Sequence, residues 1–409
     1  MERDNRPSPA VDVDAVLLTG AQDRHYAFGL AMALISQGVG LDIVGSDEID
    51  SPEMHANPGL RFLNLRGDQR RNAPLTEKIS RVLRYYARLI RYAAIARPKI
   101  FHILWNNKFE LFDRTLLMLY YKLLGKRIVF TAHNVNLGER DLSDTLPNRL
   151  SLRIQYRLSD HVFVHTERMK QELLEEFGVG ERRVTVIPYG INNAVPDTDL
   201  TPAEAKRRLG IGGAHRTILF FGAIAPYKGL DLLVEAFRRL RTGKAEYRLI
   251  IAARPKHGFE KYSHEVQEAI RGGDGSGSVI QTSRFIPDEE IELYFKAADV
   301  LALPYRRIFQ SGVLFLGFRF GLPAVAADVG SFGEDIIEGR TGYLCKPGDP
   351  ADLAKTLETY FTSELFRRLD SRRRDIREYM SARHSWDVVA RMTRNVYSEL
   401  LGSSTPDAS

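Results

Sequence analysis

A chain of 409 residues, 44% hydrophobic and 27% charged with a net charge of +6, has the make-up of a soluble protein of two domains. A single cysteine, Cys345, excludes an intrachain disulfide and a cysteine-based metal cluster, which suits a reducing, cytoplasmic setting. No run of about 18 apolar residues predicts a membrane span, and the opening MERDNRPSPAVDVD lacks the apolar stretch of a signal peptide, so it reads as a short disordered arm.

In chain order, short β-rich apolar runs alternate with helical patterns. Strands are predicted at Ala15–Thr19, Gly40–Val44, Ile100–Leu104, Arg127–Thr131, His161–Val164 and Val184–Ile187. Helices fall between them at Tyr26–Gln37, Leu75–Arg97, Leu111–Leu124 and Arg168–Phe177. This alternation predicts a parallel, doubly wound sheet. Pro188–Pro202, PYGINNAVPDTDLTP, has no apolar period and reads as an interdomain linker. A second series follows, with strands at Thr217–Phe221, Tyr247–Ala252, Val279–Thr282, Val300–Leu303 and Ala324–Ala327 and helices at Leu230–Leu240, Glu289–Ala298 and Val313–Phe320. Gly272–Ser278, GGDGSGS, is an exposed loop, and helices near Pro350–Phe361, Glu364–Tyr379 and Trp386–Leu401 close the chain. The fold class is therefore α/β, with two Rossmann-like domains over 1–190 and 191–385 and a closing helix and tail over 386–409. Tandem domains of this kind place ligands in a cleft at the carboxyl ends of their strands.

Several stretches carry candidate chemistry. Gly20 sits in the first strand-to-helix turn, where a glycine loop can approach a phosphate or sugar; Arg24 and His25 follow it and either line the cleft or face solvent. The stretch Leu75–Lys99 sets Lys78, Arg81, Arg84, Arg88 and Arg91 in one stripe beside an apolar face of Ile79, Val82, Leu83, Tyr86, Leu89 and Ile90. That is the pattern of an interfacial helix on an anionic membrane, and equally of a solvated basic face on a packed helix. Without interleaved base-stacking motifs it does not support nucleic-acid binding. In VFTAHNVN a strand ends and presents His133 and Asn134; the histidine can serve as general acid or base, as a donor to a substrate oxygen, or simply as a fixture of the loop.

In ILFFGAIAPYKGLDLL a strand ends at Gly222 and Lys228–Gly229 opens a helix. Unpaired helical N–H groups and a mobile cation make a ready phosphate site there. In IFQSGVLFLGFRFGLPAVAADVGS, Gln310, Ser311 and Gly312 open another helix. Gly312 lets backbone come close to a ligand, and Ser311 either caps the helix or bonds a phosphate oxygen. There is no P-loop, zincin or EF-hand pattern, and the DVD at Asp12–Asp14 precedes the first strand, so neither a metal nor a cofactor is expected.

Taken in this order, FFGAIAPYKGLDLLVEAF, ADVLALPY, GLPAVAADVGS and EGRTGYLCKPGDPADLA resemble family 4 of the retaining GT-B glycosyltransferases, over roughly Ala15 to Leu401. The LPY…QSGVL form resembles a bacterial polysaccharide or surface-glycan branch. The resemblance implies a carboxy-terminal domain that binds a nucleotide sugar through Gly222, Lys228, Gln310, Ser311 and Gly312. It implies an amino-terminal domain that takes the acceptor, with His133 near the transferred sugar and the last helix returning to the first domain. Catalysis by Lys228 and His133 would then pass a sugar from UDP or GDP to a glycan or lipid-linked acceptor at the inner face of the membrane. Two features depart from the family pattern. Ala223 stands where an arginine usually follows the glycine, and Ile308 and Leu316 stand where paired glutamates hold sugar and ribose. The alternatives are a catalytically idle subunit that binds a partner or glycan, and an epimerase of the same fold.

Overall fold

The computed structural model describes residues 13–20, 23–70, 73–136, 138, 144–191, 195–241, 246–272 and 276–402. Asp12 of the DVD, residues 273–275 of the glycine-rich loop and residues 192–194 of the linker lie outside them. The chain forms two compact units, Met1–Gly190 with His384–Ser409, and Ile191–Arg383.

The first unit is built on a seven-stranded parallel sheet in the order β3-β2-β1-β4-β5-β6-β7. Its strands are β1 (Val13–Leu18), β2 (Val39–Gly45), β3 (Leu60–Asn64), β4 (Ile100–Ile103), β5 (Arg127–Thr131), β6 (His161–Val164) and β7 (Val184–Val186). The central strands read as unbroken apolar runs because both faces are covered: Ala15, Val16, Leu17, Ile100 and Phe101 are wholly buried. The sequence reading lacks β3, an edge strand in which Arg61 and Asn64 interrupt the apolar run and one face meets solvent.

The crossovers β3 to β4, β4 to β5 and β5 to β6 all advance the same way along the sheet, so the right-handed rule puts the helix Leu75–Ile95, the segment 110–123 and the helix Leu146–Leu158 on one face. The segment 110–123 is helical as predicted but is broken by a π turn at Asp113–Leu117. The helix Arg24–Ser36 packs with the chain's last helix, Trp386–Leu401. That last helix is pinned at both ends. Trp386 fills a notch where a Cβ on Gly29 or Gly190 would lie within 2.5 Å of its ring. Tyr397 Oη lies 2.6 Å from Nδ1 of the buried His102 on β4, whose Nε2 is 2.7 Å from Thr131 Oγ1.

The second unit carries a six-stranded parallel sheet in the order β10-β9-β8-β11-β12-β13. Its strands are β8 (Arg216–Ile224), β9 (Tyr247–Pro255), β10 (Val279–Thr282), β11 (Val300–Leu303), β12 (Ala324–Ala327) and β13 (Gly342–Cys345). The strand expected to end at Gly222 instead runs on to Ile224, paired along β9 through Gly222, which takes φ +110°. The edge strand β13 and the helices Pro202–Arg208, Glu260–Arg271 and Leu146–Leu158 are likewise absent from the sequence reading.

Candidate functional site

Each unit presents one cluster of candidate groups beyond the carboxyl ends of its central strands. In the second unit the cluster is made by two loops tied together. Pro226–Lys228 is a short 3-10 turn, and the helix behind it opens at Leu230 rather than at Lys228–Gly229 as the sequence suggests. Gly229 adopts φ +65°, and a Cβ there would fall 2.0 Å from the Pro304 carbonyl oxygen, so only glycine allows the two loops to meet. The Arg306 amide donates to the Tyr227 carbonyl at 2.7 Å. Its guanidinium donates to the Pro226 carbonyl at 2.8 Å and grips both Asp231 carboxylate oxygens at 2.8 and 2.6 Å. This stitching fixes Lys228. Its side chain is buried, its Nζ donates to Tyr305 Oη at 3.0 Å, and the ammonium lies 4.8 Å from the Tyr305 ring centre.

Gly222 leaves open the space beside that ammonium: a Cβ on Gly222 would sit 3.6 Å from Lys228 Nζ and 3.7 Å from Val313 Cγ2. The structure therefore brings together Gly222, Lys228 and the first turn of the helix Gly312–Arg319. The amides that open this helix have no intrahelical acceptor and carry its positive end. Ser311 occupies the N-cap position, but its hydroxyl makes no capping bond, contrary to one of the roles expected of it. Gln310 is half-buried, and both atoms of its amide are shielded from solvent without a hydrogen-bond partner among the described residues. An unpaired buried amide just ahead of a helix N-terminus is a costly arrangement unless a polar ligand completes it.

The positions expected to hold acids are apolar in substance as well as in name. Leu316 is 7% exposed and lies on the buried side of its helix, while the backbone of the half-buried Ile308 packs against Gly330, where a Cβ would lie 2.0 Å from the Ile308 carbonyl oxygen.

In the first unit a cavity of about 220 Å³ is lined by Trp105, Asn106, Arg114, His133, Asn134 and Gln155, among others. His133 and Asn134 follow β5 directly. The His133 ring stacks on Trp105 with centres 4.2 Å apart and planes 6° from parallel, and the edge of Tyr26 closes its other side. Its Nδ1 is 3.1 Å from Nε2 of His165, and Nδ1 of His165 is 3.2 Å from the Ile187 carbonyl oxygen.

A carbonyl can only accept, so His165 carries its proton on Nδ1. Burial holds His165 down to about 4, and burial with the neighbouring His165 holds His133 well below the usual histidine range. Both rings are thus neutral at pH 7. His165 Nε2 is an acceptor, His133 donates to it from Nδ1, and His133 Nε2 is left as a bare acceptor. That atom is buried and has no partner among the described residues. Of the roles open to His133, this arrangement favours that of a base or of an acceptor for a hydroxyl over that of a donor.

Gly20, at φ +58°, packs against this wall, where a Cβ would lie 2.7 Å from the Trp105 carbonyl oxygen. The Gly20 carbonyl accepts from Arg66 Nη1 at 3.0 Å. Arg24 is exposed on the first turn of its helix and His25 is half-buried beside it; neither lines the cavity. Asn106 and Gln155 pair their amides across the wall, Gln155 Nε2 donating at 2.8 Å. Trp105, Arg114, Gln155, Tyr305 and Arg306 are absent from the sequence reading. Their partners lie on other elements, and only the PYRR that follows β11 offered a local sign of the last two. Among the described residues no group of histidine, cysteine and carboxylate side chains could hold a metal ion, and no helix is long and apolar enough to cross a membrane.

Residues 24–195 match the family model described as Glycosyltransferase Family 4, and residues 215–363 match that described as Glycosyl transferases group 1. Similar curated proteins include D-inositol 3-phosphate glycosyltransferases. That of Corynebacterium aurimucosum is 24% identical over 68% of this chain and 68% of its own length. That of Geodermatophilus obscurus is 30% identical over 49% of this chain but only 45% of its own length. Among solved structures, sucrose-phosphate synthase from Thermosynechococcus elongatus aligns with a TM-score of 0.75 at 17% identity, covering 96% of this chain and all of that one. HepE from Anabaena, in complex with UDP-glucose, aligns with a TM-score of 0.70 at 16% identity, covering 95% of this chain and 99% of that one.

Proposed function

The chain belongs to the family 4-like glycosyltransferases of the GT-B fold, and from that premise we propose that it moves a sugar from a UDP- or GDP-sugar to a hydroxyl of a glycan or lipid-linked acceptor. In this reading the transfer retains the anomeric configuration, serves surface polysaccharide or glycolipid synthesis, and takes place at the inner face of a membrane approached through Leu75–Lys99. The second unit holds the nucleotide diphosphate and the first unit the acceptor.

One observation carries the reading: Gly222, Lys228 and the opening of the helix Gly312–Arg319 converge, with the Gln310 amide buried and unpartnered beside them. As the glycosidic bond breaks, the leaving diphosphate gains charge. Lys228 and the helix amides stabilise that charge where it develops, with no rearrangement needed at the moment of reaction. Tyr305 and the Arg306–Asp231 clamp keep the lysine in place. In the first unit, His133 Nε2 accepts a hydrogen bond from a hydroxyl and so orients it; the ring stays neutral and adds no charge that the acceptor must accommodate. UDP-glucose bound to HepE, and the nucleotide-sugar habit of the family, support the donor class. The scheme needs no side-chain nucleophile, so Ile308 and Leu316 are compatible with it.

The test is thermal shift with UDP, GDP and their common sugars, on the wild type and on Lys228→Ala. Stabilisation by one nucleotide series, lost in the variant, is expected. Absence of a shift with every nucleotide would sink the donor site and favour the idle subunit, toward which Ala223, Ile308 and Leu316 point. Product formed without any acceptor would favour the epimerase.

A further inference from the structure

Of the thirteen large apolar side chains exposed among the described residues, twelve lie between Leu75 and Leu150, all in the first unit, and the thirteenth is Phe285. They fall on neighbouring elements of one face of the sheet. On the helix Leu75–Ile95, Leu75, Ile79 and Leu83 form an exposed row at four-residue steps. Tyr86 continues that row beneath Phe109, stacked at 5.7 Å, and Phe109 is itself 52% exposed. The segment 110–123 then presents Leu111, Leu116, Leu119 and Leu123, exposed by 45 to 78%. The π turn at Asp113–Leu117 closes residues five apart, and so sets Leu111 and Leu116 on the same outer side. Leu146 and Leu150 of the next helix follow.

The exposed charge on these elements and the loop before Phe109 is one-sided. Arg84, Arg88, Arg91, Lys108 and Arg153 are exposed. The three acids on these elements are engaged: Glu77 faces Arg81 at 3.8 Å, Glu110 pairs with Arg114 at 2.5 Å, and Asp113 is buried against Tyr86.

The same segment is also a wall of the His133 cavity. Glu110 and Arg114 line the cavity, and Arg114 Nε is buried without a partner among the described residues, while Leu111 and Leu116 look outward. A molecule whose polar head occupies the cavity thus has an apolar, cationic surface one helix-width away. Resting on the assignment of the acceptor to the first unit, we propose that the acceptor is an amphiphile taken from an anionic bilayer. Its head group lies in the cavity and its tail stays in the leaflet into which Leu111, Leu116, Leu119 and Leu123 dip. The docking face is therefore wider than the Leu75–Lys99 helix, and its centre is the π-turn segment.

The full-length protein is to be floated with vesicles of phosphatidylcholine alone and of phosphatidylcholine with phosphatidylglycerol, at low and high salt. Retention by the anionic vesicles, weakened by salt, is expected. Leu116→Glu with Leu119→Glu should reduce it roughly tenfold or more, and Leu116→Ala with Leu119→Ala should reduce it less, both with an unchanged UDP or GDP thermal shift. Equal vesicle retention by wild type and the Glu variant overturns the proposal. So does a wild-type dimer that the same variant dissolves, which would make this face a contact between copies. Loss of the nucleotide shift in the wild type is a different failure, that of the donor site.

Discussion

Replacing Lys228 by alanine removes the cation from the donor cluster while Tyr305 and the Arg306–Asp231 clamp remain. It should lower kcat/KM by roughly a hundredfold to a thousandfold, the usual cost of one preorganised charge-stabilising group, and abolish stabilisation by UDP or GDP in calorimetry. His133→Ala should instead raise KM for the acceptor more than for the donor, as its bare Nε2 belongs to the first unit. A larger effect on the donor would show that the ring serves the nucleotide sugar. Leu316→Glu is the informative attempt to restore the family pattern. At 7% exposure a carboxylate there is largely withdrawn from water, so the variant should lose roughly 2 kcal/mol or more of stability rather than gain activity. Urea unfolding checks the point, and a gain in turnover without loss of stability would contradict it.

At the scale of elements, Gly229 and the last helix are the sensitive joints. Gly229→Ala combines a left-handed backbone with a Cβ 2.0 Å from a carbonyl oxygen, so the two loops must part and Lys228 must move. We expect a loss of about 2 kcal/mol or more together with loss of nucleotide binding. The two losses should appear together in melts with and without UDP or GDP. Tyr397→Phe leaves His102 Nδ1 buried without its partner and should cost roughly 1–3 kcal/mol. The central strands and the glycine–lysine loop could be read from sequence because each is written in one continuous stretch. The edge strands β3 and β13 could not: β3 is interrupted by Arg61 and Asn64, and β13 is only four residues long and starts at a glycine. The walls of both clusters were hidden for another reason. Lys228 and Tyr305 are 77 residues apart, and Asn106 and Gln155 are 49 apart, and no local pattern announces such a pair.

Over the whole molecule the two units should answer acid in opposite directions. In the first, burial lowers His102 to about 3 and His161 and His165 to about 4, against 6.5 for an unconstrained histidine. The unfolded chain binds those protons below pH 6.5 and the folded unit does not. Their stabilisation is therefore complete above pH 6.5 and is lost as pH falls toward 4 and 3. Asp113, raised by burial to about 6, opposes this in part. In the second unit burial raises Asp335 to about 7, against 3.8 for a free aspartate. Its folded form keeps a proton that the unfolded chain releases, so that unit gains stability as pH falls from 7 toward 3.8. Hydrogen exchange from pH 7 to 4.5, corrected for intrinsic rates, should show the first unit losing protection while the second holds or gains it. Parallel loss in both would refute the assignment.

The chain has only two tryptophans, Trp105 and Trp386, and both stand in the first unit. Excited at the red edge, the protein therefore emits from that unit alone, and one of its two fluorophores lies flat against His133 at 4.2 Å. An acceptor analogue entering the cavity should alter the emission directly. A nucleotide bound at Lys228 has no tryptophan in its own unit to perturb. A change of intensity or wavelength on adding UDP or GDP would then report, without a label, that the first unit senses what the second unit binds.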